Sequence, residues 1–200
     1  MITVIIYIGI IILAYFLGCF SAARFIAKAF KHLKICKVGT GRPDTENIYF
    51  NVSKSLGILV GALDFLKVYI FLSILNYLLP KFDITSAISD PSDLIIFGVA
   101  MLVGHVFPIF HRFYGGRGIF PYIAIMTYFA YYPMLIVAIL VLLIMIFFKQ
   151  FRFSQYMIVL LPPFINLFFS GSKSIDVRLF LLAFLMGIMN IISSKQKGEL

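Results

Sequence analysis

The chain has 200 residues, of which 62% are hydrophobic and only 12% charged, and its mean hydropathy is +1.04. That excludes an ordinary soluble domain, whose surface forces many polar residues outward. A net charge of +9 would suggest nucleic acid in a soluble chain, but here the basic residues fall between apolar runs, so membrane topology explains them and no nucleic-acid partner is expected.

In lipid every backbone N–H and C=O must be paired within the protein, which leaves helices or a closed barrel. The apolar runs are continuous and lack the period-two alternation of barrel strands. We therefore expect an all-α polytopic membrane protein. The first span is predicted over about Thr3 to Ala23, long enough to cross ~30 Å of hydrocarbon. A basic stretch follows, with Arg24, Lys28, Lys31, Lys34, Lys37, Arg42 and Lys54. The second span lies near Ser55 to Leu79, before a short acidic loop holding Lys81, Asp83, Asp90 and Asp93. The third runs from about Leu94 to Phe110 and ends in a polar turn, His111 to Gly118. Ile119 to Phe148 is too long for one span and contains Pro133, so it is read as two helices. The sixth span is placed near Tyr156 to Phe169 and the seventh near Val177 to Ile192.

About seven transmembrane helices put the two ends on opposite sides. With the N-terminus outside, the inner loops collect Arg24, Lys28, Lys31, Lys34, Lys37, Arg42, Lys54, Arg112, Arg117, Lys149, Arg152, Lys195 and Lys197, whereas the outer loops hold Lys81, Lys173 and Arg178. The positive-inside rule then makes the polar loops and the C-terminus cytoplasmic, in the cell (plasma) membrane. Merging 119–148 into one helix would blur that asymmetry, and six spans stay open as an alternative. No linker, repeat or low-complexity tract divides the chain, so residues 1–200 read as a single integral membrane domain. The start, Met1-Ile2-Thr3-Val4, lacks the basic n-region of a cleaved signal peptide. Cys19 and Cys36 are not expected to pair if the basic loop faces the cytosol.

Two inner loops carry the candidate chemistry. In Val38-Gly39-Thr40-Gly41-Arg42-Pro43-Asp44-Thr45-Glu46-Asn47, closely spaced glycines allow backbone N–H groups to converge on an anion, with the Thr40 hydroxyl as a further donor. The competing reading is a plain turn between helices. In Gly104-His105-Val106-Phe107-Pro108-Ile109-Phe110-His111-Arg112-Phe113-Tyr114-Gly115-Gly116-Arg117-Gly118, three glycines surround Arg117, whose planar fork suits phosphate or carboxylate. His105 is an ionisable residue in an apolar span, a functional signal by default. Its alternative is a hydrogen bond to a neighbouring helix, with glycines allowing close packing. Asp64 and Lys67, three residues apart on one helical face, read as a structural ion pair. No zinc-ligand spacing, P-loop or Ser–His–Asp pattern occurs, and no metal or cofactor is expected.

Together these segments resemble the bacterial acyl-phosphate:glycerol-3-phosphate acyltransferase family, small seven-helix membrane enzymes. Tyr15-Phe16-Leu17-Gly18 is similar to the family's Y-L-L-G-S opening. Lys37-Val38-Gly39-Thr40-Gly41, with Asn47 further on, is similar to its K-x-G-S-G-N-x-G-A-T-N loop. Asp64-Phe65-Leu66-Lys67 resembles D-x-x-K-G. Gly104-His105-Val106-Phe107-Pro108, continuing to Phe113-Tyr114-Gly115-Gly116-Arg117-Gly118, resembles G-H-x-F-P-x-F-x-x-F-x-G-G-K-G. The departures cluster at the anion site. Arg42 replaces an asparagine, Asp44-Thr45-Glu46 replaces G-A-T, Phe50 stands for an arginine, and Arg117 for a lysine. The D-I-R before the loop reads Lys34-Ile35-Cys36, and of a final H-x-x-N-x-x-R only Asn190 remains.

The resemblance implies transfer of an acyl chain from acyl phosphate to glycerol 3-phosphate, giving lysophosphatidic acid for phospholipid biosynthesis. It implies His105 and Asn190 as catalytic residues. Gly39, Thr40, Gly41, Arg42, Asn47, Gly115, Gly116, Arg117 and Gly118 would bind substrate phosphate, and membrane lipids are the remaining partners. Two readings stay open: an acyltransferase with a rebuilt site, and a non-catalytic relative that binds a lipid or membrane partner. A transporter fits less well, because the polar residues gather at one face instead of crossing the midplane.

Overall fold

The computed structural model describes residues 2–82 and 91–196, with backbone alone for 2, 3, 82, 91, 92, 151 and 152. Asp83 and Asp90 of the acidic loop, and Lys197, lie outside the described residues. The helices are α1 (Ile2–Gly18), α2 (Ala22–Lys31), α3 (Thr45–Asn51), α4 (Lys54–Leu78), α5 (Ile95–Val106), α6 (Ile119–Phe129), α7 (Tyr131–Phe148), α8 (Phe151–Phe169) and α9 (Lys173–Lys195). Every regular element among the described residues is helical. Four helical stretches, Val4–Lys31, Lys54–Lys81, Tyr131–Phe148 and Lys173–Lys195, are long and apolar enough to cross a membrane, and Ile95–His111, Ile119–Phe129 and Phe153–Phe169 are shorter apolar helices. Ile5, Ile12, Ile58, Ile74, Leu142, Phe147 and Phe184 are all more than half exposed or close to it. Such unpartnered apolar surface is at home in lipid and not in water. The chain is an all-helical integral membrane protein.

Several boundaries move from their sequence expectation. The first helix ends at Gly18, short of the expected Ala23, and the start of the basic stretch forms a separate helix, α2. Ser21 caps α2 by accepting the Arg24 amide at 3.3 Å, and Lys28 and Lys31 lie in its last turn, where they complement the helix dipole. The long apolar run of 119–148 breaks at Ala130, three residues before Pro133. A proline in the first turn of α7 costs nothing there, because the amide it lacks has no intrahelical partner. The helices where the sixth and seventh spans are expected begin earlier, at Phe151 and Lys173.

Contacts divide the chain into two compact units, Met1–Pro121 and Tyr122–Leu200. In the first, α1 packs on α5 through two glycines. A Cβ on Gly18 would collide with the Met101 backbone, and one on Gly104 with the Tyr15 carbonyl. Small residues at such points let helix backbones approach closely in lipid. Tyr15 Oη then donates to the Phe107 carbonyl at 2.9 Å, tying α1 to the end of α5. The α2 face formed by Ala22, Ala23, Ile26 and Ala27 is buried with Ile35, Ile48 of α3 and Val60 of α4. Burial of Ile26, Ile35 and Ile48 contributes roughly 1.5–3 kcal/mol each, and anchors the first Gly-rich loop at both ends.

In the second unit, α8 contains Pro162 and Pro163. Pro163 has no amide to offer the carbonyl of Val159, one turn back. Tyr122 Oη donates to that carbonyl at 2.7 Å from a buried position. Asn166 Nδ2 donates to Asp176 Oδ1 at 2.7 Å, joining α8 to the first turn of α9.

Candidate functional site

The first Gly-rich loop is built around Asn47, which is 0% exposed. Asp44 caps α3, its Oδ1 accepting the Asn47 amide at 3.0 Å. The Asn47 side chain then reaches back over the loop. Its Nδ2 donates to Arg42 O at 2.8 Å and Val38 O at 2.9 Å, and its Oδ1 accepts from Thr40 N at 3.1 Å and Asn51 Nδ2 at 3.0 Å. Gly39 stands at φ +53°, and a Cβ there would overlap Asn47 and Asn51, so this position requires glycine.

These bonds change the expected role of the loop backbone. Thr40 N is held by Asn47, Gly41 N donates to Val38 O at 2.8 Å, and Arg42 N donates to Thr40 Oγ1 at 3.3 Å. Three successive amides are satisfied internally, so the loop is not an open backbone nest, and an anion here would meet side chains. Arg42 is 1% exposed. Phe50, by contrast, is exposed and edge-packed on Tyr49 at 5.0 Å.

The second loop folds against the end of α5. Gly115, Gly116 and Gly118 are buried, while Arg117 keeps partial exposure. A Cβ on Gly115 would strike the His105 carbonyl. One on Gly116 would lie 2.7 Å from His105 Nε2 and 3.1 Å from the Pro43 carbonyl. The two Gly-rich loops therefore meet at Gly116, against which His105 Nε2 also lies. Arg117 Nη1 forms an ion pair with Glu46 Oε2, crossing from the second loop to α3. Burial pushes the Asp44 carboxyl above its ordinary range, against the opposing pull of Arg117, the Asn47 amide and Arg42. Its Oδ2 is buried without a hydrogen-bond partner. The two carboxylates that replace the family's G-A-T thus have separate tasks: Asp44 caps a helix and Glu46 engages the arginine.

The Asp64–Lys67 pair is present at 2.9 Å, and it reaches further than the sequence indicates. Lys67 Nζ also lies 3.1 Å from His105 Nδ1, so the pair belongs to the site's support. Arg24 is a second addition. Its Nη2 donates to the Tyr114 carbonyl and lies 3.7 Å from Cys36 Sγ, linking α2 to both loops. The only signal for it in the sequence is its place at the head of the basic stretch. Beside it lies a cavity of about 470 Å³, apolar along Phe16, Cys19, Phe20, Phe25 and Phe110 and polar at Arg24, Lys28 and His111. Cys19 and Cys36 are free thiols. Asn190 lies in the second unit, half-buried on α9, and its Nδ2 donates to Met186 O at 3.0 Å. No cluster of metal-ligating side chains occurs among the described residues.

Comparison with known proteins identifies the family. The sequence profile of the glycerol-3-phosphate acyltransferase family matches residues 8–198. A glycerol-3-phosphate acyltransferase of Mycoplasma capricolum is 36% identical over 116 residues, 56% of this chain and 44% of that protein. One from Legionella pneumophila is 27% identical over 180 residues, 90% of this chain and 62% of that protein. The chain thus spans about half the length of the curated relatives it matches. The crystal structure of PlsY (YgiH), an integral membrane glycerol 3-phosphate acyltransferase, in its glycerol 3-phosphate form, superposes with a TM-score of 0.76 at 24% identity, covering 96% of this chain and 90% of that one. The fold is therefore shared, and the family profile runs through both Gly-rich loops: the chain belongs to the glycerol-3-phosphate acyltransferase family.

Proposed function

We propose that the protein transfers an acyl group from acyl phosphate to the 1-hydroxyl of glycerol 3-phosphate, releasing phosphate and forming lysophosphatidic acid. The observation that carries this reading is the meeting of the two Gly-rich loops at buried His105, with Arg117 presented between glycines beside it. The donor is a mixed anhydride with a good leaving group, so the reaction needs no covalent enzyme intermediate. The protein must hold two phosphates, align hydroxyl and carbonyl, and stabilise developing oxyanion charge. Arg42 and Arg117 supply the fixed charge, with Gly39, Thr40, Gly41, Asn47, Gly115, Gly116 and Gly118 shaping the loops that carry it. The apolar cavity ending at Arg24 and Lys28 suits an acyl chain with an anionic head. Asn190, like His105, is assigned a catalytic part because it stands where the family motif carries its asparagine. The reading includes one integral membrane domain of seven spans in the plasma membrane, with the N-terminus outside and both loops cytoplasmic, as the basic residues indicate.

Glu46 is a departure with a consequence. A carboxylate on Arg117 occupies the fork that a phosphate would use, and substrate must displace it. The test is expression in bacteria whose own acyl-phosphate acyltransferase can be switched off, measuring labelled glycerol 3-phosphate incorporated into lysophosphatidic acid. Incorporation above an Arg117→Ala control is expected. None from folded, membrane-inserted protein would overturn the reading and leave a lipid- or partner-binding relative.

A further inference from the structure

Lys67 Nζ makes three close contacts. An ammonium has three N–H groups and no acceptor; Nζ donates to Phe20 O at 2.8 Å, lies 3.1 Å from His105 Nδ1, and pairs with the Asp64 carboxylate, whose Oδ1 is 2.9 Å from Nζ and 3.7 Å from His105 Nδ1. The Phe20 carbonyl is available because α1 stops at Gly18 and Ser21 takes the Arg24 amide at the start of α2. The break between the first two helices thus supplies one leg of the lysine's cradle. Asp64, 2% exposed, places its carboxylate beside the ammonium.

The consequence falls on the imidazole. A partner that only donates requires a lone pair on Nδ1. A neutral imidazole with a bare Nδ1 carries its proton on Nε2. Nε2 lies against Gly116, where an added Cβ would be 2.7 Å from Nε2 and 3.1 Å from the Pro43 carbonyl. The proton therefore faces the junction of the two loops.

We propose that Lys67, anchored by Asp64 and the Phe20 carbonyl, is a positioning residue for the acyl transfer: it fixes His105 as the Nε2–H tautomer, so that His105 offers a hydrogen bond to a substrate oxygen and is not a proton acceptor. This assignment rests on the reaction proposed above for its catalytic half, while the tautomer itself is independent of it. It involves no proton transfer. A buried ion pair of purely structural purpose would need neither the third contact nor a defined tautomer.

The test combines a spectrum with kinetics on the full-length protein in lipid nanodiscs. With histidines labelled by nitrogen-15, the three imidazoles, His32, His105 and His111, are distinguished by loss of one set of signals in His105→Gln. The wild-type protein should show His105 protonated at Nε2 and bare at Nδ1. Lys67→Met should give a mixed tautomer and lower kcat about tenfold or more, with KM for glycerol 3-phosphate little changed. Lys67→Arg should recover part of both. Because Lys67→Met leaves a buried carboxylate unpaired, the double variant Asp64→Asn/Lys67→Met removes both charges and should show the same mixed tautomer in a folded protein. A wild-type His105 protonated at Nδ1, or a folded Lys67→Met protein with unchanged tautomer and kcat, would overturn the assignment. An inactive wild-type protein would overturn the proposed reaction instead, and the spectrum alone then decides whether Lys67 fixes the tautomer.

Discussion

The two units of this protein both bury polar side chains among apolar helices, but they use them differently. In Met1–Pro121, the Asp64–Lys67–His105 cluster ends at an imidazole nitrogen facing the two Gly-rich loops. In Tyr122–Leu200, Tyr122 completes the Val159 carbonyl freed by a proline, and Asn166 closes on Asp176. The first cluster leaves a donor directed at a junction of loops, and the second returns its bonding capacity to the helices. In a membrane both kinds of residue look alike as interruptions of an apolar run. What separates them is whether the chain of hydrogen bonds ends within the helices or at a loop.

The comparison can be broken most directly at Arg117. Arg117→Ala should lower turnover by at least about a hundredfold, as loss of a charge-stabilising group does, while the yield of folded protein stays close to wild type. A fall in yield with unchanged specific activity would instead place Arg117 among the structural residues. Tyr122→Phe is the counterpart in the second unit. It should lower stability by about 1–3 kcal/mol, the cost of a buried carbonyl left unpaired, with activity per folded molecule unchanged, as read by thermal unfolding and lysophosphatidic acid synthesis side by side. Glu46→Gln should sharpen the contrast within the loops. Releasing Arg117 from its carboxylate partner should reduce KM for the phosphate-bearing acceptor by roughly threefold to tenfold, a gain of about 1 kcal/mol for a partly exposed charge. The smallest effect concerns Asp44. Its folded-state pKa lies above the ordinary 3.8, so the stability it contributes is present at lower pH and is lost as pH rises through the raised value. Asp44→Asn keeps a capping side chain and should remove this decline, measured as the pH dependence of the unfolding midpoint from about pH 4 upward.

The sequence made the membrane class and the second span readable because long apolar runs are local: α4 begins and ends within a residue of expectation. It also made the Asp64–Lys67 pair readable, since three residues on one helix decide it. The split of the run from 119 to 148 was visible, but its place was displaced from Pro133 to Ala130, because a proline tolerated in a first turn marks a start and not a stop. The short helix α3 lay hidden inside what reads as a continuous loop, although Asp44 ahead of Glu46 is a start signal in its own right. The contacts of Lys67 with His105, of Arg24 with Tyr114 and of Glu46 with Arg117 join residues far apart in sequence. They depend on which helix faces lie together, and no spacing encodes that. The polar face of the first loop is legible as a candidate anion site, whereas the internal bonding of its amides, Thr40 N to Asn47, Gly41 N to Val38 and Arg42 N to Thr40, is not.

The paired prolines of α8 carry a consequence for how the protein is assembled. Alone in hydrocarbon, that segment would hold at least one bare carbonyl, a fault worth several kcal/mol where no water can repair it. The phenol of Tyr122, thirty-seven positions earlier, supplies the missing bond only once its own helix lies alongside. The segment is thus an unfinished helix until its neighbour lies alongside, so the two helices complete one another through a tyrosine and a proline.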